Sequence, residues 1–146
     1  GAASATVNMV GRDQFTGLAV AQEASEQAYK MAGVNPENVD VAEVHDCFTV
    51  SEIIAYEDLG FAKPGEGNVL IRNKETYREG SIPVNIDGGL LSKGHPIGAT
   101  GGSQIRAIVL QLRGEAGEMQ VKDSEIGLVH NIGGVGLYGN VTIFGR

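Results

Sequence analysis

The sequence is poor in several residue types that mark common classes of protein. It has one cysteine, no tryptophan, and only four tyrosines and four phenylalanines among 146 residues. A single cysteine excludes an intramolecular disulfide and, with no secretory leader in the sequence, predicts a reducing, cytoplasmic setting. No apolar run approaches the roughly 20 residues that a membrane-spanning helix needs. We therefore expect neither a secreted nor a membrane protein.

Positive charge is also scarce. The 11 lysines and arginines are outnumbered by 18 acidic residues, and the net charge is −7. Nucleic acids and anionic membranes attract basic surfaces, and single strands also stack on aromatic rings. We therefore expect no nucleic-acid or membrane partner.

Glycine, by contrast, is abundant, and its distribution is uneven. The sequence has 22 glycines, which cluster in residues 88–102 and 133–139. Glycine lets the backbone approach a ligand closely, so these clusters predict sites built from main-chain groups. The length is that of one domain, residues 1–146.

Hydrophobic patterns and turn residues predict alternating strands and helices. Extended segments are predicted at 3–8, 39–44, 82–85, 125–131 and 137–144, the last two as an antiparallel hairpin. Helices are predicted at 14–32, 49–59 and 102–112, with a long loop at 62–80. This order is typical of an α/β domain with a mixed sheet.

The only cysteine, Cys47, lies in His45-Asp46-Cys47-Phe48, between a predicted strand and a predicted helix. Thr49 and Glu52 match a capping box, which predicts a helix beginning at Thr49. Ligands bind at such turns in open α/β sheets. A helix N-terminus favours a thiolate, whereas a neighbouring carboxylate opposes it. On these residues alone, a working thiol and a buried structural cysteine are equally compatible with the pattern.

The three histidines also lie at strand ends or in the glycine-rich run. His95 follows Gly94 and precedes Pro96, a rigid mount that suits a general base or an oxyanion donor, although a solvated loop histidine fits equally well. His45 and His130 each end a predicted strand. Taken singly, each of those two is interpreted as a hydrogen-bonded structural residue.

Two other patterns do not predict function. Residues 134–139, "GVGLYG", fit a dinucleotide-binding fingerprint, but no helical segment follows them to hold a pyrophosphate. The cysteine and histidines lack the spacing of zinc ligands. We expect no dinucleotide and no metal ion.

Together these residues resemble the C-terminal half of a thiolase. "GGLLSKGHPIGATG" at 88–101 is similar to the Gly-His-Pro loop of that family. Residues 45–48 stand where most thiolases carry Asn-Glu-Ala-Phe, and "HNIGG" at 130–134 stands where most carry Cys-x-Gly. Both departures are typical of the sterol-carrier-protein-type thiolases and the archaeal acetyl-CoA acetyltransferases.

The resemblance implies a fold and a set of roles. The fold is half of a thiolase, a three-layer α/β/α unit with a mixed five-stranded sheet. His95 takes the proton of a nucleophilic cysteine, and His45 joins it in an oxyanion hole beside Gly94. Cys47 serves as acid/base. Backbone N–H groups near Asn131, Gly133 and Gly134 lie by a second oxyanion hole.

The resemblance also implies what the site works with. The substrate is a coenzyme A thioester, and no tightly bound cofactor is expected. The family's nucleophilic cysteine belongs to an N-terminal half that this sequence lacks, so the isolated chain is expected to be inactive. Expected partners are that N-terminal half, further copies in a homo-oligomer, hydroxymethylglutaryl-CoA synthase, and a zinc-ribbon/OB-fold scaffold protein. A thiolase-fold aldolase acting on a β-hydroxyacyl-CoA, or a non-catalytic thiolase-like subunit, remain alternatives.

Overall fold

The computed structural model describes residues 1–6 and 16–146. Four strands and five α-helices lie in these ranges. In chain order they are β1 (Ala2–Thr6), α1 (Ala19–Ala32), β2 (Val41–Glu43), α2 (Thr49–Asp58), α3 (Gly67–Arg72), α4 (Gly89–Lys93), α5 (Thr100–Arg113), β3 (Ile126–Gly133) and β4 (Tyr138–Gly145). Single 3-10 turns lie at Pro36–Asn38 and Gly117–Met119.

The sheet is mixed, with the strand order β1-β4-β3-β2. β3 and β4 form the predicted antiparallel hairpin, and β1 extends it on the other side of β4. β2 pairs in parallel with β3, so that Glu43 lies opposite Val129. The α/β class is therefore confirmed, and the carboxyl ends of β2 and β3 point the same way.

Each face of the sheet carries its own apolar core because strand side chains alternate between faces. On one face Ala42 and Leu128 pack with α1, through residues such as Val20 and Ala24. On the opposite face the adjacent residues Val41 and Val129 pack with Ile108 and Leu112 of α5. Helices thus cover both faces of the sheet.

The prediction of five strands is wrong. Of the five predicted extended segments, 82–85 is the one that forms no strand. It makes a single isolated parallel bridge, between Val84 and Ala42. Pro83 has no N–H to donate, and Asn85 has a positive φ of 51° that turns the chain away. A strand cannot continue through that pair, so four strands remain in residues 1–6 and 16–146.

Helix boundaries were predicted with mixed success. The second predicted helix is present as α2, but its N-cap is Phe48 and no side-chain capping bond forms, so the capping box is wrong. Glu52 instead accepts a bond from the Tyr56 hydroxyl at 2.7 Å. The loop predicted at 62–80 contains α3.

The first helix also differs from the prediction at its start. α1 begins at Ala19 rather than at residue 14, and residues 7–15, which include the end of the first predicted strand, lie outside the described part of the chain. Its C-terminus is as predicted, with Gly33 in the left-handed region.

Candidate active site

The segment 45–48 connects the end of β2 to the start of α2. His45 and Asp46 are buried, Cys47 is half-buried and Phe48 is exposed. The Cys47 sulfur lies 3.9 Å from the Ser51 hydroxyl, one helical turn along the chain. The predicted strand-to-helix turn therefore exists, and it places the thiol at a helix N-terminus.

The Gly-His-Pro loop lies beside this turn. α4 ends at Lys93, and its C-cap Gly94, with a positive φ of 84°, connects the helix to His95. The rings of His45 and His95 meet edge to face, with centroids 4.9 Å apart and planes at 81°. Two histidines 50 positions apart in the sequence are thus brought into direct contact.

The Thr100 hydroxyl contacts the Nδ1 side of His95. Its oxygen lies 2.7 Å from His95 Nδ1 and 3.1 Å from the Pro96 carbonyl. A hydroxyl has a single proton, so when that proton is donated to the Pro96 carbonyl the Thr100 oxygen accepts from His95 Nδ1–H. That arrangement leaves the lone pair of His95 on Nε2, the form that a general base requires.

His45 and His130 are both buried. In the described part of the chain, no hydrogen-bond partner contacts His45 Nδ1 or either ring nitrogen of His130. Burial, followed by the neighbouring His45, lowers the pKa of His130 to about 3. Burial, followed by the nearby His95, also lowers the pKa of His45, which Asp46 partly opposes. Both imidazoles are therefore neutral at physiological pH.

Helix α5 links the loop to the other predicted site segment. Thr100 in its first turn holds His95, and Gln104, one turn further, donates to the His130 carbonyl at 3.2 Å. The Asn131 amide in turn donates to the Gln104 side chain at 2.7 Å. Residues four apart lie on one helix face, so α5 aligns the loop with the end of β3.

The glycines predicted for the two oxyanion holes lie in two places, Gly94 after α4 and Gly133 and Gly134 at the β3–β4 hairpin. Gly133 ends β3 and pairs with Tyr138, and Gly134 begins the hairpin turn with a φ of 59°. The Leu137 N–H donates to the Gly133 carbonyl at 3.1 Å. A small cavity of about 120 Å³ lies under the Gly-His-Pro loop and is lined in part by Gly94, Thr100 and Gln104.

Across residues 1–6 and 16–146, no group of three or more histidine, cysteine or acidic side chains could hold a metal ion. In the same part of the chain, every helix is too short or too polar to span a bilayer.

Several contributors to the site were missed by sequence reasoning. Asp46 was noted only as a neighbour of Cys47, yet its carboxylate binds backbone N–H groups of α4, 44 residues away. Thr100 stands in the quoted "GHPIGATG" run but carried no predicted role, and Gln104 has no sequence signal at all. All three act through tertiary contacts that no local pattern encodes.

This arrangement of a strand end, a glycine-rich loop and paired histidines belongs to a known class of domain. Residues 1–146 match the family described as thiolase C-terminal domain-like along their whole length. The chain is a member of that family, and the resemblance recognised in the sequence is confirmed.

The chain is similar in sequence to two longer relatives and in fold to a solved structure. The chain is 47% identical to the acetyl-CoA acetyltransferase of Methanothermobacter thermautotrophicus over 144 residues, which are 99% of this chain and 38% of the relative. It is 42% identical to the sterol carrier protein 2 of Rattus norvegicus over 127 residues, which are 87% of this chain and 22% of the relative. Its fold matches the solved Ltp2-ChsH2(DUF35) aldolase with a TM-score of 0.85 and 27% identity, covering 99% of this chain and 38% of that one. The chain thus spans well under half the length of the relatives it matches.

Proposed function

We propose that this chain is the C-terminal catalytic domain of a thiolase that catalyses CoA-dependent Claisen condensation or the thiolysis of a 3-ketoacyl-CoA. The observation that carries the proposal is the contact between His45 and His95, 4.9 Å apart between ring centroids. Two imidazoles at this separation can donate to one oxygen atom. A thioester oxygen gains negative charge when its enolate forms, and donors aimed at that charge lower the barrier.

His95 has two successive roles in this proposal. Its Nε2 lone pair, exposed because Nδ1–H is held by Thr100, first removes the proton of a nucleophilic cysteine. Protonated at Nε2, the same ring then donates to the oxygen of the second thioester. The Thr100 bond is thereby compatible with both steps.

His45 completes the oxyanion hole. Of its two neutral tautomers, the one with the proton on Nε2 leaves only a lone pair unpaired at the buried Nδ1. An unpaired lone pair is tolerated in protein interiors more readily than an unpaired N–H. His45 therefore serves as an Nε2–H donor, and its lowered pKa keeps its own ring neutral before catalysis.

Cys47 supplies the remaining proton transfer. We assign Cys47 as the acid/base: its thiolate removes the α-proton of the substrate, and the thiol so formed returns a proton to the CoA sulfur or the carbanion. Its half-buried position just before Phe48, the N-cap of α2, supports this role because it leaves the thiol within reach of a substrate. Main-chain N–H groups of Asn131, Gly133 and Gly134 form the second oxyanion hole, for the acyl group on the nucleophile.

The nucleophile itself comes from outside this sequence, whose only cysteine is Cys47. We propose that it belongs to the N-terminal half of a thiolase, in an enzyme that is a homo-oligomer. An exposed apolar side chain lies in or directly after each of the segments 45–48, 88–101 and 130–134. These side chains are Phe48, Ile97 and Val135, with exposed fractions of 69%, 88% and 87%. Exposed apolar groups at a site favour a covering partner surface.

The other partners belong to the same proposal. The substrate is a coenzyme A thioester, and no cofactor is bound tightly. As the family resemblance in the sequence implies, we propose hydroxymethylglutaryl-CoA synthase and a zinc-ribbon/OB-fold scaffold protein as associated proteins, with the whole in the cytoplasm.

Replacement of Cys47 by alanine in the complete enzyme tests the assignment. We expect acetoacetyl-CoA turnover to fall about 10²–10⁴-fold, the range for loss of one general acid/base. Labelling by radioactive acetyl-CoA should persist because His95 still activates the nucleophile. His95→Ala, the matched control, should lose labelling as well. Turnover near the parent value in folded Cys47→Ala would contradict the role of the thiol.

An aldolase is the second candidate, and the fold similarity to the Ltp2-ChsH2(DUF35) aldolase favours it. Such an enzyme cleaves a β-hydroxyacyl-CoA without forming an acyl-enzyme. The same preparations distinguish the two. Cleavage of a β-hydroxyacyl-CoA with no acetyl label on the protein would replace the thiolase assignment, and inactivity toward both substrates would indicate a non-catalytic subunit.

A further inference from the structure

A buried carboxylate, that of Asp46, connects the segment that carries His45 to the helix that precedes His95. Asp46 is only 2% exposed, and its oxygens accept hydrogen bonds from two backbone N–H groups in the first turn of α4. The Leu90 N–H donates to Oδ1 at 2.7 Å, and the Leu91 N–H donates to Oδ2 at 3.3 Å. Carboxylates bind such N–H groups strongly because the donors at a helix start have no partners within the helix.

The backbone of α4 is shaped to admit this carboxylate. Gly89, the first residue of the helix, has a φ of 60°, and a Cβ there would lie 2.3 Å from Asp46 Oδ2. That separation is far inside van der Waals contact, and the backbone conformation also disfavours other residues. The absence of a side chain at Gly89 therefore leaves the room that the Asp46 carboxylate occupies.

We call the two hydrogen bonds between Asp46 and α4 the clamp. The clamp lies close in the chain to both His45 and His95. His45 directly precedes Asp46 in the chain, and α4 is five residues long, so His95 follows one short helix away from the bonded N–H groups. At 1.5 Å per residue, that helix is roughly 8 Å long and too short to bend. A shift of its N-terminus therefore moves His95 relative to His45.

We propose that Asp46 is a positioning residue, whose carboxylate fixes the placement of His95 against His45 by clamping the N-terminus of α4. The catalytic consequence rests on the proposed function, whereas the geometric claim does not. Asp46 touches no substrate in this proposal and acts only through the loop.

Asp46→Ala removes the clamp, and NMR spectroscopy of the 146-residue chain measures the result without any need for activity. We expect the cross-relaxation between the His45 and His95 rings to disappear. The pKa of His45 should rise, because burial and the neighbouring His95, the two main causes that lower it, both weaken. If Asp46 acted only as a charge, its loss would lower the pKa of His45 and preserve the ring contact, and the proposal would be overturned.

Asp58→Ala is the matched control. Asp58 is also buried, at 5% exposure, and likewise accepts a backbone N–H, from Leu18 at 2.8 Å, next to the start of α1. It should destabilise the chain in a similar way while leaving the ring contact and the pKa of His45 unchanged. Equal effects of the two variants on the histidines would reduce Asp46 to a general structural residue.

Gly89→Ala tests the clamp from the other side and guards against misfolding of Asp46→Ala. The added methyl group should displace the carboxylate and reproduce the loss of the ring contact. Asp46→Asn, which keeps one acceptor oxygen, should retain part of that contact. An intact ring pair in folded Gly89→Ala would contradict the proposal.

Kinetics of the complete enzyme separate this proposal from the proposed function. A displacement of about 1 Å typically costs about 10²-fold in rate, so kcat of Asp46→Ala should fall by that factor with little change in KM. If the ring contact is lost as expected but the parent enzyme acts on no 3-ketoacyl-CoA, the positioning role stands and the thiolase assignment fails. If the parent enzyme is an active thiolase and Asp46→Ala retains its kcat, the positioning role fails alone.

Discussion

Thr100 bonds to His95 from the first turn of α5, and its hydroxyl is oriented by the Pro96 carbonyl. The residues around His95 were equally compatible with a general base or oxyanion donor and with a solvated loop histidine, and they carried no information on its tautomer. The tautomer depends on Thr100, a side chain five residues further on. At the scale of single residues, the sequence therefore predicts candidate reacting groups and misses the side chains that contact them in the fold.

Thr100→Val removes the acceptor for His95 Nδ1–H and preserves the shape of the side chain. We expect the Nε2 lone pair to be lost from part of the population, because the ring can then carry its proton on either nitrogen. Turnover should fall roughly 10–100-fold, the range seen when a partner that orients a metal-bound histidine is removed. Nitrogen-15 shifts of His95 report the tautomer directly, and Thr100→Ser should keep the parent values. Unchanged shifts in Thr100→Val would contradict this prediction.

Helix α4 is held at its other end by a second set of charges. The Lys93 ammonium pairs with Asp87 and lies 3.5 Å from the buried carboxyl of Glu43 on β2. Burial, followed by the charge of Asp87, raises the pKa of Glu43 to about 8. Glu43 therefore keeps its proton at neutral pH, and the cluster holds one negative and one positive charge.

Glu43→Gln replaces that protonated carboxyl with a neutral group of the same shape. In the parent, the folded state binds one more proton than the unfolded state from about pH 4.5 to 8, so its stability falls as the pH rises through that window. The variant lacks this dependence. Its free energy of unfolding, relative to the parent, should increase by up to about 1.4 kcal/mol per pH unit. Urea titrations at several pH values measure this, and parallel curves for the two proteins would refute it.

Elements were predicted best where a local pattern and the tertiary structure agree. The β3–β4 hairpin and α5 were predicted from alternating and helical patterns, and Gly114 ends α5 in the left-handed region as expected. The start of α2 was predicted correctly from a capping box that does not form, because Glu52 turns to Tyr56 and Asn85 instead. α3 was missed because its six residues lie among charged and turn-forming neighbours.

At the scale of the whole molecule, the motifs predicted the family correctly. The roles that the resemblance implies for His45, Cys47 and His95 stay predictions, whereas the hydrogen bonds of Asp46 to α4 emerge only from the three-dimensional contacts. The strand count was wrong because one bridge at Val84 was taken for a strand. The central claim is that His45 and His95 form one oxyanion hole.

A crystal structure of the complete enzyme with a non-reactive acetyl-CoA analogue tests that claim most directly. We predict that the thioester oxygen lies within about 2.7–3.2 Å of Nε2 of both His45 and His95, the range of good hydrogen bonds. The Cys47 sulfur should face the α-carbon of the same thioester. A thioester oxygen bound by other groups, with the two histidine rings turned away from it, would contradict the account.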